Sequence, residues 1–371
     1  MGKWQAALES MDVKPFGGAY RGRRVLITGH TGFKGSWLAA WLAQMEAEVT
    51  GFSQDPATTP NHWDLLQLPI VDLRGDVRDL SAIGEAVHTS RPEIVFHLSA
   101  QPLVRRSYQD PLETWSTNVM GTANVLEACR KAKDLAAVVV VTTDKVYANK
   151  EYAQGYREDD RLGGHDPYSA SKAACELVVD SYRKAFFGGD FAPLIATARA
   201  GNVIGGGDWS NDRLIPDVVR ALACGQSLEV RSPNATRPWQ HVLECTSAYL
   251  LLGEHLLSGK RAIAQAWNFG PNSEDNRSVA AILSELQIHW PELRWHQSVG
   301  QHPHEAGLLY LDSSMAKTIL GWKPVWDLSA TLAATANWYR QHALTQQAST
   351  YLQLKSYQES AATTGSPWAI Q

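Results

Sequence analysis

The stretch Arg24-Val25-Leu26-Ile27-Thr28-Gly29-His30-Thr31-Gly32-Phe33-Lys34-Gly35 decides how the rest of the chain reads. Its first five residues make a mostly apolar run of the kind that fills a strand buried on both faces. Glycines follow at 29, 32 and 35, and an apolar helical pattern continues to about Met45. Each glycine has a physical reason. One makes the tight turn out of the strand, one lets backbone approach a pyrophosphate, and one lets helix pack on strand. The helix N-terminus adds free N–H donors and a partial positive charge. Strand, GxxGxxG loop and helix together predict a dinucleotide site built from Gly29, Thr31, Gly32, Phe33, Lys34 and Gly35. His30 and Lys34 are bulky for such a loop and are expected to crowd a cofactor bound there.

Outward from this stretch, further strands are predicted at 48–52, 94–98, 137–142 and 194–199, each preceded by a helical segment. Apolar strands alternating with helices indicate a parallel sheet covered on both faces. The expected class is α/β: a Rossmann doubly wound parallel sheet with a smaller mixed α/β substrate-binding lobe. Residues 21–200 are assigned to the dinucleotide-binding domain and 201–345 to the lobe, where Gly205-Gly206-Gly207 and several prolines break the rhythm. The two are interleaved, because a strand near 267–270 and a helix near 241–256 are expected to return to the main sheet. Residues 1–20 read as an N-terminal tail. Residues 346–371, rich in Gln, Ser and Ala, read as a loosely docked C-terminal one.

A ribose-binding acid is expected about twenty residues past the glycine loop. There the chain has Ser53, with Asp55 two residues late and no arginine following to hold a 2′-phosphate, so NAD is favoured over NADP. Asp76, after a third short strand, suits either contact with an adenine amino group or a helix N-cap. Farther on, Tyr168-Ser169-Ala170-Ser171-Lys172 places a phenol and an ammonium on one face of a helix. A cation there is expected to favour phenolate and to lower the Tyr168 pKa toward neutrality. Tyr168 could then take a proton from a substrate hydroxyl as hydride leaves the same carbon.

With these motifs the chain resembles the extended short-chain dehydrogenases/reductases, the NAD-dependent epimerase/dehydratase family. The resemblance implies that Thr143 shares the substrate oxygen with Tyr168, and that Asn118 fixes the active-site helix. It also places Val77, Leu98, Ala100, Asn118, Tyr168 and Lys172 beside the cofactor. Thr143 is followed by Asp144 and Lys145, whereas 4-epimerases usually carry small or neutral residues there and 4,6-dehydratases an acid. That implies a nucleotide-sugar 4,6-dehydration. Asp144 would protonate the departing C6 hydroxyl, provided burial favours its neutral form. Lys145 stands where a glutamate base is usual, and either takes the C5 proton or stabilises the enolate.

The loop and the turn, with Gly207-Asp208-Trp209, Arg237-Pro238-Trp239 and His304-Glu305-Ala306, resemble the branch of that family acting on CDP-linked glucose. A substrate diphosphate calls for cations and backbone donors. Arg237, Arg213 and Arg231 are the candidates, with Asn202 at the diphosphate and His304 closing over the nucleotide. The resemblance also implies a homodimer, or a dimer of dimers, built through two helices per subunit. A 4-epimerase, a dehydratase for a dTDP-, GDP- or UDP-sugar, and a regulatory protein that lost the chemistry are the alternatives. The last would typically lack the Tyr or the Lys, and both are present.

Bulk composition agrees with a globular enzyme. Net charge is −4, which exerts no pull toward nucleic acid or anionic membrane. Four cysteines without CxxC or histidine spacing predict free, buried or half-buried thiols and no metal. No apolar run reaches spanning length and no signal core opens the chain, so a cytoplasmic protein is expected.

Overall fold

The computed structural model describes residues 14–152, 154–300 and 307–370. Seven parallel strands form the central sheet: β1 (Arg24–Thr28), β2 (Glu48–Ser53), β3 (Val71–Arg74), β4 (Ile94–His97), β5 (Ala137–Val141), β6 (Leu194–Ala200) and β7 (Ala266–Phe269). Their order is β7-β6-β5-β4-β1-β2-β3, with Thr28 of β1 in register with His97 of β4. Strand order reverses between β1 and β4, so the crevice beyond their carboxyl ends is where such sheets bind ligands. The glycine loop leaves β1 at that point.

Successive side chains of one strand enter different cores. Val25 and Ile27 pack with Trp37, Leu38 and Trp41 of helix α1 (Phe33–Gln44). Leu26 packs instead with Ile83 of α2 (Leu80–Ser90), Val125 of α3 (Gly121–Arg130) and Val179 of α4 (Pro167–Ala185). A strand buried on both faces explains why β1 and β5 are continuous apolar runs rather than alternating ones. The second half opens with helices α5 (Leu214–Ala223) and α6 (Val242–Leu257). Helix α6 is buried from Val242 to Gly253 and lies on β5 and β6, so with β7 it returns to the main sheet. Three two-stranded sheets build the lobe, pairing 203–204 with 240–241, 236–238 with 276–278, and 228–230 with 295–297.

Both ends depart from expectation. Residues 1–13 lie outside the described residues, but Phe16 and Tyr20, assigned to a tail, are fully buried. The C-terminal segment is firmly docked rather than loose. After α7 (Val279–His289) and α8 (Leu328–Thr345), helix α9 (Thr350–Thr363) buries Thr350, Gln353, Leu354, Tyr357 and Ala361. That spacing is a helical stripe hidden in a polar-looking composition. Trp368 then stacks on Phe16, with ring centroids 4.9 Å apart, and closes the two ends on each other. Cys129, Cys175 and Cys245 are buried free thiols, whereas Cys224, expected to be at least half-buried, is exposed at the end of α5. Among the described residues no cluster could hold a metal ion, and no helix is long and apolar enough to cross a membrane.

Candidate active site

The glycine loop is shaped as the sequence requires. Gly29 has φ +80°, and a Cβ there would lie 2.7 Å from the backbone nitrogen of Ser99. A Cβ on Gly35 would lie 2.1 Å from the Gly29 carbonyl oxygen. The Gly32 N–H donates to that same oxygen at 3.1 Å, closing the turn. Gly32 is the N-cap of α1 and offers no side chain, so the first N–H groups of the helix face the crevice unclaimed by a cap. These residues fit a pyrophosphate.

At the outer edge, the Thr31 hydroxyl meets Ser53 Oγ at 2.8 Å and donates to the Gln54 carbonyl at 3.0 Å. Gln54 donates to Asp76 at 2.7 Å, and Asp76 also accepts the backbone N–H and guanidinium of Arg78, each at 2.8 Å. Arg78 holds the Asp76 carboxyl below its usual range. Asp76 is not the helix cap; Asp79 caps α2, accepting from Ser81 and Ala82. The expectation of no arginine here also needs correction. Arg74 reaches in from β3, donates to the Gln54 carbonyl at 3.1 Å and pairs with Asp72 at 2.7 Å. It ends β3, the strand paired directly with β2, opposite Ser53 and well past the residues that immediately follow β2, so the local sequence there could not show it.

His30 and Lys34 go separate ways. The His30 ring is buried, bonded to Asp72 at 2.9 Å and edge-on to Trp63, in space a Cβ on Gly51 would invade. Burial pushes its pKa down against the pull of Asp72. Lys34 enters the cleft and donates to the Tyr249 hydroxyl at 3.4 Å, and burial lowers its pKa too.

Beyond β5 the chain tightens into a short turn at Asp144–Val146. The Thr143 hydroxyl accepts the Lys145 N–H at 3.4 Å and donates to Asp144 Oδ1 at 3.0 Å. Asp144 is buried, and its Oδ2 has no hydrogen-bond partner among the described residues. A Cβ on Gly201 would come within 3.1 Å of that oxygen. Lys145 Nζ lies 4.0 Å from Asp144 Oδ1. Helix α4, opposite, is capped by Asp166, which accepts from Ser169 N at 2.9 Å. Tyr168 and Lys172 are both buried on it, and Tyr168 lines the same cleft as Thr143.

The expected lowering of the Tyr168 pKa is not what the structure contains. Burial pushes the phenol up to about 12, opposed by the Thr143 hydrogen bond and, more weakly, by Arg213. Lys172 donates instead to the Val141 carbonyl at 3.2 Å. Desolvation therefore outweighs the helix-face pairing that sequence alone suggested. Asn118 accepts the Gln101 N–H and donates to Ser171 on α4, both at 2.8 Å. Val77 packs where a Cβ on Gly121 would go, and Leu98, with Ala100 beyond it, runs over Gly29.

A cleft of about 1030 Å³ joins this site to the lobe. Asn202, Arg213, Arg231 and Arg237 line it together with Thr143, Asp144, Lys145 and Tyr168. Arg213 pairs with Asp208 at 3.0 Å and Arg231 with Asp212 at 3.5 Å. Arg237 is buried and donates to the Thr236 carbonyl at 2.8 Å. His304 and Glu305 lie outside the described residues. Sequence reasoning missed Arg105, which crosses the cleft mouth to Asp212 at 2.6 Å, because nothing local marks a partner so distant in the chain. It also missed Glu176, which accepts from Thr142 at 2.5 Å, Thr197 at 2.7 Å and Arg199 at 3.0 Å beneath the catalytic strand. Its one signal was position, one helical turn past Lys172.

A glycine cradle at the switch point of a parallel sheet, facing a buried Tyr–Lys helix, defines a Rossmann-type dehydrogenase/reductase architecture. The model of the GDP-mannose 4,6 dehydratase family matches residues 26–335, and the chain belongs to this family of NAD-dependent epimerases and dehydratases. It is 44% identical over 330 residues to the CDP-glucose 4,6-dehydratase of Salmonella typhimurium, covering 86% of this chain and 91% of that one. A probable dTDP-glucose 4,6-dehydratase of Sinorhizobium fredii is 27% identical over 338 residues, 86% of this chain and 93% of that one. In fold it resembles the UDP-glucuronic acid 4-epimerase of Bacillus cereus, solved with UDP-glucuronic acid and NAD. There the TM-score is 0.73 at 24% identity, over 85% of this chain and 99% of that one.

Proposed function

We propose that this chain converts CDP-glucose to CDP-4-keto-6-deoxy-glucose, with NAD bound at the glycine loop. The observation that carries this is the Thr143-Asp144-Lys145 turn, which sets a buried carboxyl and an ammonium 4.0 Å apart in the cleft that also holds Tyr168. An epimerase needs only to move hydride; an acid and a cation at that place serve an elimination. Gly29, Gly32 and Gly35 with the N-terminus of α1 would hold NAD, which would supply the redox chemistry of hydride transfer between C4 and C6.

Tyr168 takes the proton of the C4 hydroxyl, while Thr143 shares that oxygen and orients it. The resulting ketone acidifies C5–H, and Lys145 takes that proton or stabilises the enolate that forms. Asp144 gives a proton to the departing C6 hydroxyl, which leaves as water. Tyr168 and Thr143 hold the C4 oxygen throughout. Hydride lost at C4 is regained at C6 and the proton taken from C5 is returned there, so the net change is loss of one water. Arg213, Arg231 and Arg237 hold the diphosphate, with Asn202 beside them.

The test is incubation with CDP-, dTDP-, GDP- and UDP-glucose, followed by the alkaline absorbance of a 4-keto product. CDP-glucose is expected to react fastest without stoichiometric use of NAD. Net NAD consumption, or a preference for another nucleotide, would overturn the assignment.

A homodimer is the assembly that fits this surface. Leu112, Trp115 and Met120 on segment 111–120 and Leu177 on the adjoining α4 are exposed large apolar residues on neighbouring helices. Leu177→Asp is expected to halve the mass seen by light scattering, and an unchanged mass would exclude this face. The enzyme on this proposal works in the cytoplasm, where its nucleotide-sugar substrate and NAD are found.

A further inference from the structure

We infer that Tyr339, on α8 and beyond the segment the family model matches, is a positioning residue that sets Arg213 in the substrate cleft through Asp208. This rests on the assignment of Arg213 to the substrate diphosphate.

The Tyr339 hydroxyl donates to the Asp208 carbonyl at 2.5 Å and accepts the Asp208 N–H at 3.1 Å, so one phenol satisfies both backbone groups of one residue. Burial raises the Tyr339 pKa, which keeps that hydroxyl able to donate. The loop it grips is held from other sides as well. A Cβ on Gly206 would lie 2.0 Å from the Trp338 ring, and Gly207, at φ +85°, leaves no room for one beside His62. The Trp37 indole donates to the Gly206 carbonyl at 2.9 Å. His62 bridges Ser36 of α1 at 2.8 Å and Thr350 of α9 at 2.7 Å. The loop thus cannot shift unless the C-terminal helices shift.

The Asp208 side chain turns this rigidity toward the cleft. Its Oδ1 accepts the Ser210 N–H at 3.0 Å, and its Oδ2 takes the Arg213 guanidinium at 3.0 Å. Arg213 then faces the same space as Tyr168 and Asp144. A residue held by one charge partner loses its geometry when that partner's backbone is freed, even with both side chains intact.

The experiment titrates CDP into the full-length protein by calorimetry, with NAD titrated in parallel. Tyr339→Phe is expected to weaken CDP about tenfold, the effect of unmaking hydrogen bonds to two buried groups, and to leave NAD affinity unchanged. Arg213→Ala weakens CDP more, and adding Tyr339→Phe to it brings no further loss, because the two act in series. Asp208→Asn keeps both backbone bonds and should reproduce the weakening if Tyr339→Phe folds poorly. If Tyr339→Phe lowers the melting temperature but not CDP affinity, or if the two losses add, Tyr339 is only a packing residue and the inference fails. If Arg213→Ala itself leaves CDP binding intact, the diphosphate assignment fails and takes the inference with it.

Discussion

In the chain by itself burial holds the Tyr168 pKa above its usual value, outweighing the Thr143 hydrogen bond and the charge of Arg213. The phenolate that accepts the C4 proton would form only with a further positive charge beside it, such as that of bound NAD⁺. The neighbours of Tyr168 must therefore act on the phenol through position. Lys172, tied to the Val141 carbonyl, braces the helix against β5, and Asn118 braces the same helix through Ser171. Tyr168→Phe removes the proton acceptor with little change of volume, so its turnover is expected to fall by about 10²–10⁴-fold while CDP still binds. Progress of 4-keto product and calorimetry on one preparation would check both halves. Lys145→Ala separates its two possible roles. Loss of solvent deuterium exchange at C5 marks it as the base, whereas retained exchange at reduced turnover marks enolate stabilisation. Which residues stand at the site was readable from motifs a few positions long. Which partner each takes was not, since Arg213 with Asp208, Arg74 with Gln54 and Arg105 with Asp212 are made by the fold.

Elements were readable where hydrophobic period and chain order agree. Strand β1, the loop and α1 were expected within a residue or two of where they lie, because three glycines and a buried run leave few alternatives. The C-terminal helices were misjudged because α9 shows its apolar stripe only when Thr350, Gln353 and Tyr357 count as buried. Trp368, fully buried among Phe16, Trp41 and Tyr357, is what docks that segment. Trp368→Ala is expected to cost about 3–5 kcal/mol in denaturant unfolding. A cost near zero would mean that the segment is loosely attached after all. The glycine loop makes its own prediction. Because the His30 ring packs on Asp72, Trp63 and Gly51 whereas Lys34 enters the cleft, Lys34→Ala is expected to bind NAD more tightly by titration calorimetry and His30→Gly to gain nothing. Unchanged affinity in both would show that neither side chain crowds the cofactor.

At the scale of the whole molecule, the two halves are joined by α6, which belongs to the lobe in sequence and to the main sheet in space. The interleaving could be expected because a strand near 267 needs a sheet to join, but the joint itself could not. Its centre is Glu244, a fully buried carboxylate on α6 that accepts the N–H groups of Val325 and Trp326 at 3.1 and 2.8 Å and the Tyr357 hydroxyl at 2.7 Å. One side chain thus links the main sheet, the approach to α8, and α9. Burial pushes the Glu244 pKa up to about 7, and the three donors only partly offset it. The sign follows from linkage. A carboxyl whose folded pKa exceeds its usual 4.5 contributes stability that is full below that value. That contribution is lost as pH rises toward 7 and stays lost above, where a charge must be held in the core. The melting temperature is therefore expected to fall between pH 5.5 and pH 8, and Glu244→Gln, which has no charge to bury, should flatten that part of the curve. Measuring both proteins at both pH values isolates Glu244 from the other titrating groups they share. Parallel curves for the two proteins would mean that the three donors hold the carboxylate ionised without cost, and that the joint is insensitive to pH.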